Sequence, residues 1–128
     1  MKQPIILSVD DDPQVQRALQ RDLRNQYRKD YKVLSTTSAN DALLTLAEFK
    51  KQSEEVALIV SDQRMPEMEG VAFLEQAKEL YPNARTVLLT AYSDIDAAGK
   101  AINGGGLNYY LAKPWVPPEE RLFPVLDD

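Results

Sequence analysis

Short apolar runs alternate with amphipathic stretches along this chain. Runs rich in β-branched residues cover residues 5–9, 31–37, 56–61, 84–92 and 108–112, and each run predicts a β-strand. Between these runs, apolar residues recur every three or four positions, which predicts amphipathic helices. Five strands alternating with helices through short connections are typical of an α/β fold with a parallel sheet and helices on both of its faces.

Capping residues mark the predicted helix boundaries. Asp12, followed by Pro13, is placed to begin the first helix, while Ser38 begins the second and Ser93 a later one. The third helix is predicted over residues 69–81, before Pro82. The apolar residues expected to face the sheet are Val15, Leu19 and Leu23 in the first helix, Ala39, Ala42, Leu43, Leu46 and Ala47 in the second, and Val71, Leu74, Ala77 and Leu80 in the third.

The size and charge of the chain narrow the classes of function. A length of 128 residues predicts one domain over residues 1–128. The formal net charge of −5, with basic residues scattered along the sequence, argues against direct nucleic-acid contact by this domain. Neither a signal peptide nor an apolar run long enough to span a membrane is visible. We therefore expect a cytoplasmic protein that makes no membrane contact.

Two residue types are missing from the composition. The absence of cysteine excludes disulfides and thiolate chemistry, and the absence of histidine excludes Ser-His-Asp catalysis and most transition-metal sites. Carboxylate, hydroxyl and lysine chemistry remains, with an oxygen-preferring cation as the expected metal.

Reactive side chains lie at or near the carboxyl ends of four of the five predicted strands. Asp10 and Asp11 follow the first strand, Asp62 the third, Thr90 lies in the fourth and Lys113 follows the fifth. Ligands of open parallel sheets bind beyond the carboxyl ends of the strands. There, three carboxylates would repel each other unless a cation such as Mg²⁺ neutralised them. The opposing interpretation is that these aspartates only cap helices or begin loops.

The motifs "ILSVDDDP", "LIVSDQRMPEMEG", "LLTAY" and "YYLAKPW", in this order, resemble the receiver domain of bacterial two-component response regulators. The resemblance covers residues 4–115. It implies a doubly wound, flavodoxin-like fold of five strands in the order 2-1-3-4-5. It also implies a phosphorylation-dependent switch that is not an enzyme with turnover, since such a domain catalyses only its own phosphorylation and dephosphorylation.

The resemblance assigns a role to each residue of the predicted site. Asp62 matches the aspartate that accepts a phosphoryl group. Asp11 matches the carboxylate that binds Mg²⁺ directly, Asp10 the carboxylate that acts through water, and Arg64 the residue whose backbone carbonyl completes the metal site. Met65-Pro66 and Gly70 are expected to shape the turn that leaves the Asp62 carboxylate exposed at the edge of the sheet.

Further positions match the residues that respond to phosphorylation. Thr90 matches the hydroxyl that follows the phosphoryl group, Lys113 the ammonium that neutralises it, and Tyr110 the aromatic switch that turns inward. Arg64 and Tyr92 match positions that tune the phosphoryl lifetime. The implied phosphodonor is a sensor histidine kinase or a histidine phosphotransfer protein, and the face formed by the fourth helix and fifth strand is expected to change.

The C-terminal residues depart from the family pattern. Prolines in "WVPPEERLFPVLDD" leave a short fifth helix or none, so residues 116–128 are either an atypical tail or the start of a linker to an output domain. Two alternative functions remain: an interaction module that works without phosphorylation, and a phosphatase of the haloacid-dehalogenase type. The phosphatase would use Asp10 and Asp12, and it leaves Asp62 unexplained.

Overall fold

The computed structural model describes residues 3–63, 65, 68–90 and 109–112, with Thr90 and residues 109–112 described through their backbone. Its elements, in chain order, are β1 (Ile5–Val9), α1 (Pro13–Tyr27), β2 (Lys32–Thr36), α2 (Ala39–Lys51), β3 (Val56–Asp62), α3 (Gly70–Leu80), β4 (Arg85–Thr90) and β5 (Tyr109–Ala112). The predicted helix after Ser93 and the tail over residues 116–128 lie outside the described residues.

The five strands form one parallel sheet in the order β2-β1-β3-β4-β5. This confirms the doubly wound, flavodoxin-like topology. Strand β1 lies between β2 and β3, and the β1–β3 register shifts between Ile5 and Ile6. Because all strands are parallel, their carboxyl ends lie at one edge of the sheet, which is where the sequence places its acidic residues.

Apolar side chains alternate between the two faces of the sheet. On one face, Ile5, Leu7 and Val9 of β1 share a buried cluster with residues of α2 and α3. On the other face, Ile6 packs with Leu19 and Leu23 of α1. Helices therefore cover both faces, as predicted, and full burial of each large aliphatic side chain stabilises the fold by roughly 1.5–3 kcal/mol.

Capping side chains begin two of the helices where the sequence predicts them. Asp12 accepts a hydrogen bond from the backbone N–H of Gln14 at 2.9 Å, with Pro13 as the first helical residue. Ser38 accepts one from the backbone N–H of Asp41 at 3.2 Å. Each cap satisfies a donor that has no partner within the helix, and thereby fixes where the chain leaves the strand edge.

The predicted inward residues of the helices are buried or half-buried. Leu19, Leu23, Ala39, Ala42, Leu46, Leu74 and Ala77 are buried, while Val15, Leu43, Val71 and Leu80 pack against the core at partial exposure. The pattern missed Phe73, which is fully buried between α3 and the sheet. Among the described helices, none is long and apolar enough to cross a membrane.

Candidate functional site

The carboxyl ends of β1 and β3 bring two aspartates side by side. Val9 of β1 pairs with Ser61 of β3, so the residues that follow, Asp10 and Asp62, are neighbours at the same edge. Asp62 is itself the last residue of β3. The parallel register therefore places the two carboxylates together although they are 52 positions apart in the sequence.

A third carboxylate joins this pair to form an acidic cluster. One oxygen each from Asp10, Asp11 and Asp62 lies within 4.8 Å of the others. Asp10 is fully buried, Asp62 is 7% exposed and Asp11 is exposed. The expectation that the turn leaves the Asp62 carboxylate exposed at the edge of the sheet is wrong, because Asp62 ends an interior strand that is flanked by β1 and β4. Only Asp11 reaches freely into solvent.

The acidic cluster fits a hard divalent cation. Three carboxylate oxygens this close repel one another strongly where two of them are buried, and a cation between them removes that repulsion. The donor set contains oxygen alone, and Mg²⁺ is commonly held by one or two carboxylates together with water. Asp10, Asp11 and Asp62 are thus able to hold such an ion, with Asp11 on the solvent side.

Backbone contacts orient the acidic residues. The backbone N–H of Asp12 donates to Oδ1 of Asp10 at 2.9 Å, which fixes one oxygen of the buried carboxylate. Asp12 points its own carboxylate at the first turn of α1, as a cap. This separates the aspartates after β1 by role: two belong to the acidic cluster, and the third begins a helix.

Gln63, directly after Asp62, joins β3 to the start of α3. Its side chain is buried, and its Oε1 accepts from the backbone N–H of Val71 at 3.1 Å. Its Nε2 lies 3.5 Å from a carboxylate oxygen of Glu69, and its backbone carbonyl accepts from Gly70 at 2.9 Å. The N-cap residue Glu69 makes no side-chain cap bond of its own, so Gln63 supplies that acceptor.

Gly70 allows α3 to begin directly against the backbone of β3. A Cβ atom at this position would lie 2.1 Å from the carbonyl oxygen of Asp62 and 2.8 Å from Cδ1 of Leu88. No side chain fits there without moving β3 or α3. Sequence reasoning assigned Gly70 to a turn and overlooked Gln63; the Met-Pro and glycine after the strand predicted a tight connection without showing what holds it.

The remaining predicted site residues divide into two groups. Thr90 is the last residue of β4, next to Leu89, which pairs with Asp62; Tyr110 lies in β5 opposite Leu88. The backbone thus brings Thr90 to the edge that carries the acidic cluster. Arg64, Tyr92 and Lys113 lie outside the described residues, so their predicted roles stay predictions.

The family model described as "Response regulator receiver domain" matches residues 6–123. Among curated proteins, the hydrogenase transcriptional regulatory protein HoxA of Cupriavidus necator is 35% identical over 116 residues, which is 91% of this chain. The chain spans only 22% of the length of that relative.

Solved structures with sequence identities of about one third or less share the fold of this chain. The signal receiver domain of an HD domain-containing protein from Pseudomonas fluorescens is 33% identical, with a TM-score of 0.75, over 94% of this chain and 82% of that one. A response regulator from Burkholderia pseudomallei, solved with a phosphorylated aspartic acid, a calcium ion and citrate, is 27% identical with a TM-score of 0.69. That match covers 87% of this chain and 60% of the other.

Proposed function

The chain belongs to the family of response regulator receiver domains, and we propose that it is a signalling switch that accepts a phosphoryl group on Asp62. The observation that carries this proposal is the acidic cluster itself. Asp62 is the last residue of a buried strand. One of its carboxylate oxygens lies within 4.8 Å of an oxygen from Asp10 and an oxygen from Asp11. Gln63 and Gly70 hold the backbone that directly follows Asp62, which supports a fixed position for its carboxylate.

The proposed reaction is a displacement at phosphorus. A carboxylate oxygen of Asp62 attacks the phosphorus atom of a phosphohistidine, the phosphorus–nitrogen bond breaks, and the imidazole nitrogen of the donor takes up a proton. The product is an acyl phosphate on Asp62. Positioning supplies most of the rate in such transfers. The bonds of Gln63 to Gly70 and Val71, which fix the backbone after Asp62, support such positioning here.

The charges of the acidic cluster explain a requirement for a cation. Three carboxylates repel an incoming phosphoryl group, whose oxygens are also negative. When bound between Asp10, Asp11 and Asp62, Mg²⁺ would supply the positive charge that offsets this repulsion. We assign Asp11 to direct metal contact, Asp10 to contact through water and the backbone carbonyl of Arg64 to the remaining protein ligand. The Burkholderia pseudomallei structure, with its phosphorylated aspartic acid and calcium ion, supports this chemistry.

We assign the response to phosphorylation to β4 and β5. The hydroxyl of Thr90 would bind a phosphoryl oxygen, and the ammonium of Lys113 would neutralise another. Movement of Thr90 toward the site would open space for Tyr110, so the surface formed by β5 and the preceding segment changes with the phosphorylation state. The position of Thr90, one residue beyond the partner of Asp62, supports its part in this assignment.

The composition supports a phosphodonor outside this chain. The chain has no histidine, so we assign the phosphohistidine to a sensor histidine kinase or a histidine phosphotransfer protein. Its relatives are transcriptional regulators several times longer than this chain, which supports an output domain outside the region compared. A cytoplasmic location of this exchange stays a prediction.

Phosphorylation with a small donor tests the proposal. After incubation with acetyl phosphate and Mg²⁺, intact-protein mass spectrometry should detect one base-labile phosphoryl group, and peptide mapping should place it on Asp62. Asp62→Asn should remove the adduct. Asp12→Asn is the matched control, because it makes the same substitution in the cap of α1 and should keep the adduct. An adduct that survives Asp62→Asn would refute the assignment, and no adduct at all would favour the module that works without phosphorylation.

Arg64 and Tyr92 are expected to lengthen the lifetime of the phosphoryl group, because bulky side chains beside an acyl phosphate keep water away from phosphorus. The purified phosphoprotein should therefore lose its phosphoryl group slowly, and Arg64→Ala with Tyr92→Ala should shorten its half-life. A half-life of seconds in the unaltered protein would contradict this expectation.

A further inference from the structure

A basic groove runs along α1 and the start of β2, apart from the acidic cluster. It is open to solvent and has a volume of about 670 Å³. Its basic lining residues are Arg17, Arg21, Arg24, Arg28 and Lys32. Among the described residues that line it, none is acidic, and the others are amide, aromatic or apolar side chains. We name this surface the basic groove.

The four arginines form a single stripe on the helix. Their spacing of four, three and four positions keeps them on one side of α1 and its C-terminal end. Like charges at such spacings destabilise a helix, so the stripe works against the stability of α1. An anion in the groove would remove this repulsion.

The helix dipole accounts for the positions of only two of the four arginines. Arg24 and Arg28 lie at the C-terminal end of α1, where positive charge interacts favourably with the helix dipole. Arg17 and Arg21 lie in the first three turns, where the dipole gives them no such benefit. Arg21 forms an ion pair, with its Nε 3.5 Å from Oδ1 of the largely buried Asp22. Its side chain nevertheless remains 69% exposed. Arg17 donates from its Nε to the carbonyl of Pro13 at 3.2 Å.

The basic groove also opposes the charge of the rest of the chain. Five of the fifteen basic residues line it, although acidic residues outnumber basic ones by twenty to fifteen overall. Arginine, with its planar array of donors, binds carboxylates through paired hydrogen bonds. Charge complementarity therefore points to a partner that carries several carboxylates.

We propose that the basic groove binds an acidic segment of a partner protein, rich in Asp and Glu. Arg17 and Arg28 are eleven positions apart, or about 16 Å along the helix, which matches roughly five residues of extended peptide. A long polyanion such as duplex DNA would extend beyond the basic groove over a chain of net charge −5. A short acidic segment, in contrast, fits within the length of the basic groove.

Fluorescence anisotropy with a labelled glutamate hexapeptide tests this proposal on the unaltered protein. Binding should weaken steeply as salt rises from about 50 mM to about 300 mM, because the contacts are ionic. Arg24→Gln with Arg28→Gln should weaken binding about tenfold. Lys29→Gln with Lys51→Gln is the matched control: it removes two positive charges from exposed side chains outside the groove and should change binding less than about twofold.

Several outcomes decide against the proposal. Equal weakening by both double variants would mean that net charge, and no specific groove, attracts the peptide. Absence of salt-dependent binding would also overturn it. If a labelled DNA duplex of similar length binds more tightly than the peptide, the partner is a nucleic acid and not an acidic protein segment. Circular dichroism of each variant checks that the fold is intact, and Asp62→Asn should leave peptide binding unchanged, which separates this result from a failure of the proposed phosphorylation.

Discussion

Gln63 connects the strand that carries Asp62 to the helix that follows. Its side-chain oxygen accepts from Val71 at 3.1 Å, and its backbone carbonyl accepts from Gly70 at 2.9 Å. A single residue thus holds both ends of the connection, while Gly70 permits the close approach. We expect Gln63 to position Asp62, because its contacts are made with the start of the helix that follows β3.

Replacing Gln63 tests this positioning role. Gln63→Met keeps the side-chain length but leaves the Val71 N–H without its acceptor, which should lower the free energy of unfolding by about 1–2 kcal/mol. Displacement of the acceptor should also slow phosphorylation by acetyl phosphate by roughly tenfold. Both quantities are measured well below the unfolding temperature of the variant.

Gln76→Met is the control for the Gln63 variant, since it makes the same substitution at an exposed position of α3. It should keep both the stability and the phosphorylation rate of the unaltered protein. If Gln63→Met loses stability but phosphorylates at the control rate, Gln63 has a structural role alone.

At the scale of elements, the end of α2 is held by a residue in an unusual conformation. Ser53 has a φ of 58°, and its N–H donates to the carbonyl of Lys50 at 3.2 Å, while Glu54 N–H donates to that of Phe49 at 2.9 Å. These are the two bonds of a Schellman motif, in which glycine is the usual residue at the left-handed position. Serine there keeps the motif at the expense of steric strain.

Ser53→Gly should therefore stabilise the protein. Relief of the strain at the left-handed position exceeds the added flexibility of the unfolded chain, and we expect a gain of about 0.5–1 kcal/mol. Urea unfolding should show a higher midpoint with an unchanged slope. Ser53→Ala keeps the strain and should show no gain; equal stabilisation by alanine would refute the explanation.

Tyr81 links the end of α3 to the segment between α2 and β3. Its hydroxyl donates to the carbonyl of Glu54 at 3.0 Å, and the Lys50 ammonium lies 5.5 Å from its ring centroid. Burial, with a smaller contribution from the negative charge of Glu54, raises the pKa of Tyr81 above its ordinary value of 10.0. The folded protein therefore holds the phenolic proton more tightly than the unfolded chain does.

The raised pKa predicts a loss of stability in alkali. The contribution of Tyr81 is fully present below its ordinary pKa and is lost as pH rises through the raised value. Tyr81→Phe should be less stable by about 1 kcal/mol at neutral pH, because the bond to Glu54 is gone. The free energies of unfolding of the two proteins should converge as the pH rises above the ordinary tyrosine pKa of 10.0. A gap that stays constant over this range would contradict the assignment.

At the scale of the molecule, the acidic cluster joins two strands that are far apart in sequence. Asp10 and Asp11 follow β1 and Asp62 ends β3, so their repulsion acts between these two neighbouring strands at the carboxyl edge of the sheet. Folding must bring Asp62 to Asp10 and Asp11, whereas the unfolded chain keeps it apart from them. A cation that binds only the assembled cluster should consequently stabilise the whole fold.

Mg²⁺ should raise the melting temperature of the protein. At about ten times its dissociation constant, the ion adds about 1.4 kcal/mol, or roughly 3–6 °C for a domain of this size. Asp11→Asn should reduce this shift, and by relieving repulsion it should leave the metal-free protein at least as stable. Thermal unfolding with Mg²⁺ and with EDTA measures both effects; a full Mg²⁺ shift in Asp11→Asn would exclude Asp11 as a ligand.

The sequence by itself determined the alternation of strands and helices, the two caps at Asp12 and Ser38, and the edge at which the acidic residues lie. These features depend on local pattern: side-chain periodicity, capping chemistry and the parallel direction of the strands. The resemblance to receiver domains added the strand order, which the sheet confirms.

Only the tertiary structure decided how the site is enclosed. The burial of Asp62, the contact of Gly70 with its backbone and the bonds of Gln63 each depend on how α3 packs against β3. The basic groove likewise forms where α1 meets β2. Such features depend on distances between segments that are remote in the chain, and local periodicity carries no information about those distances.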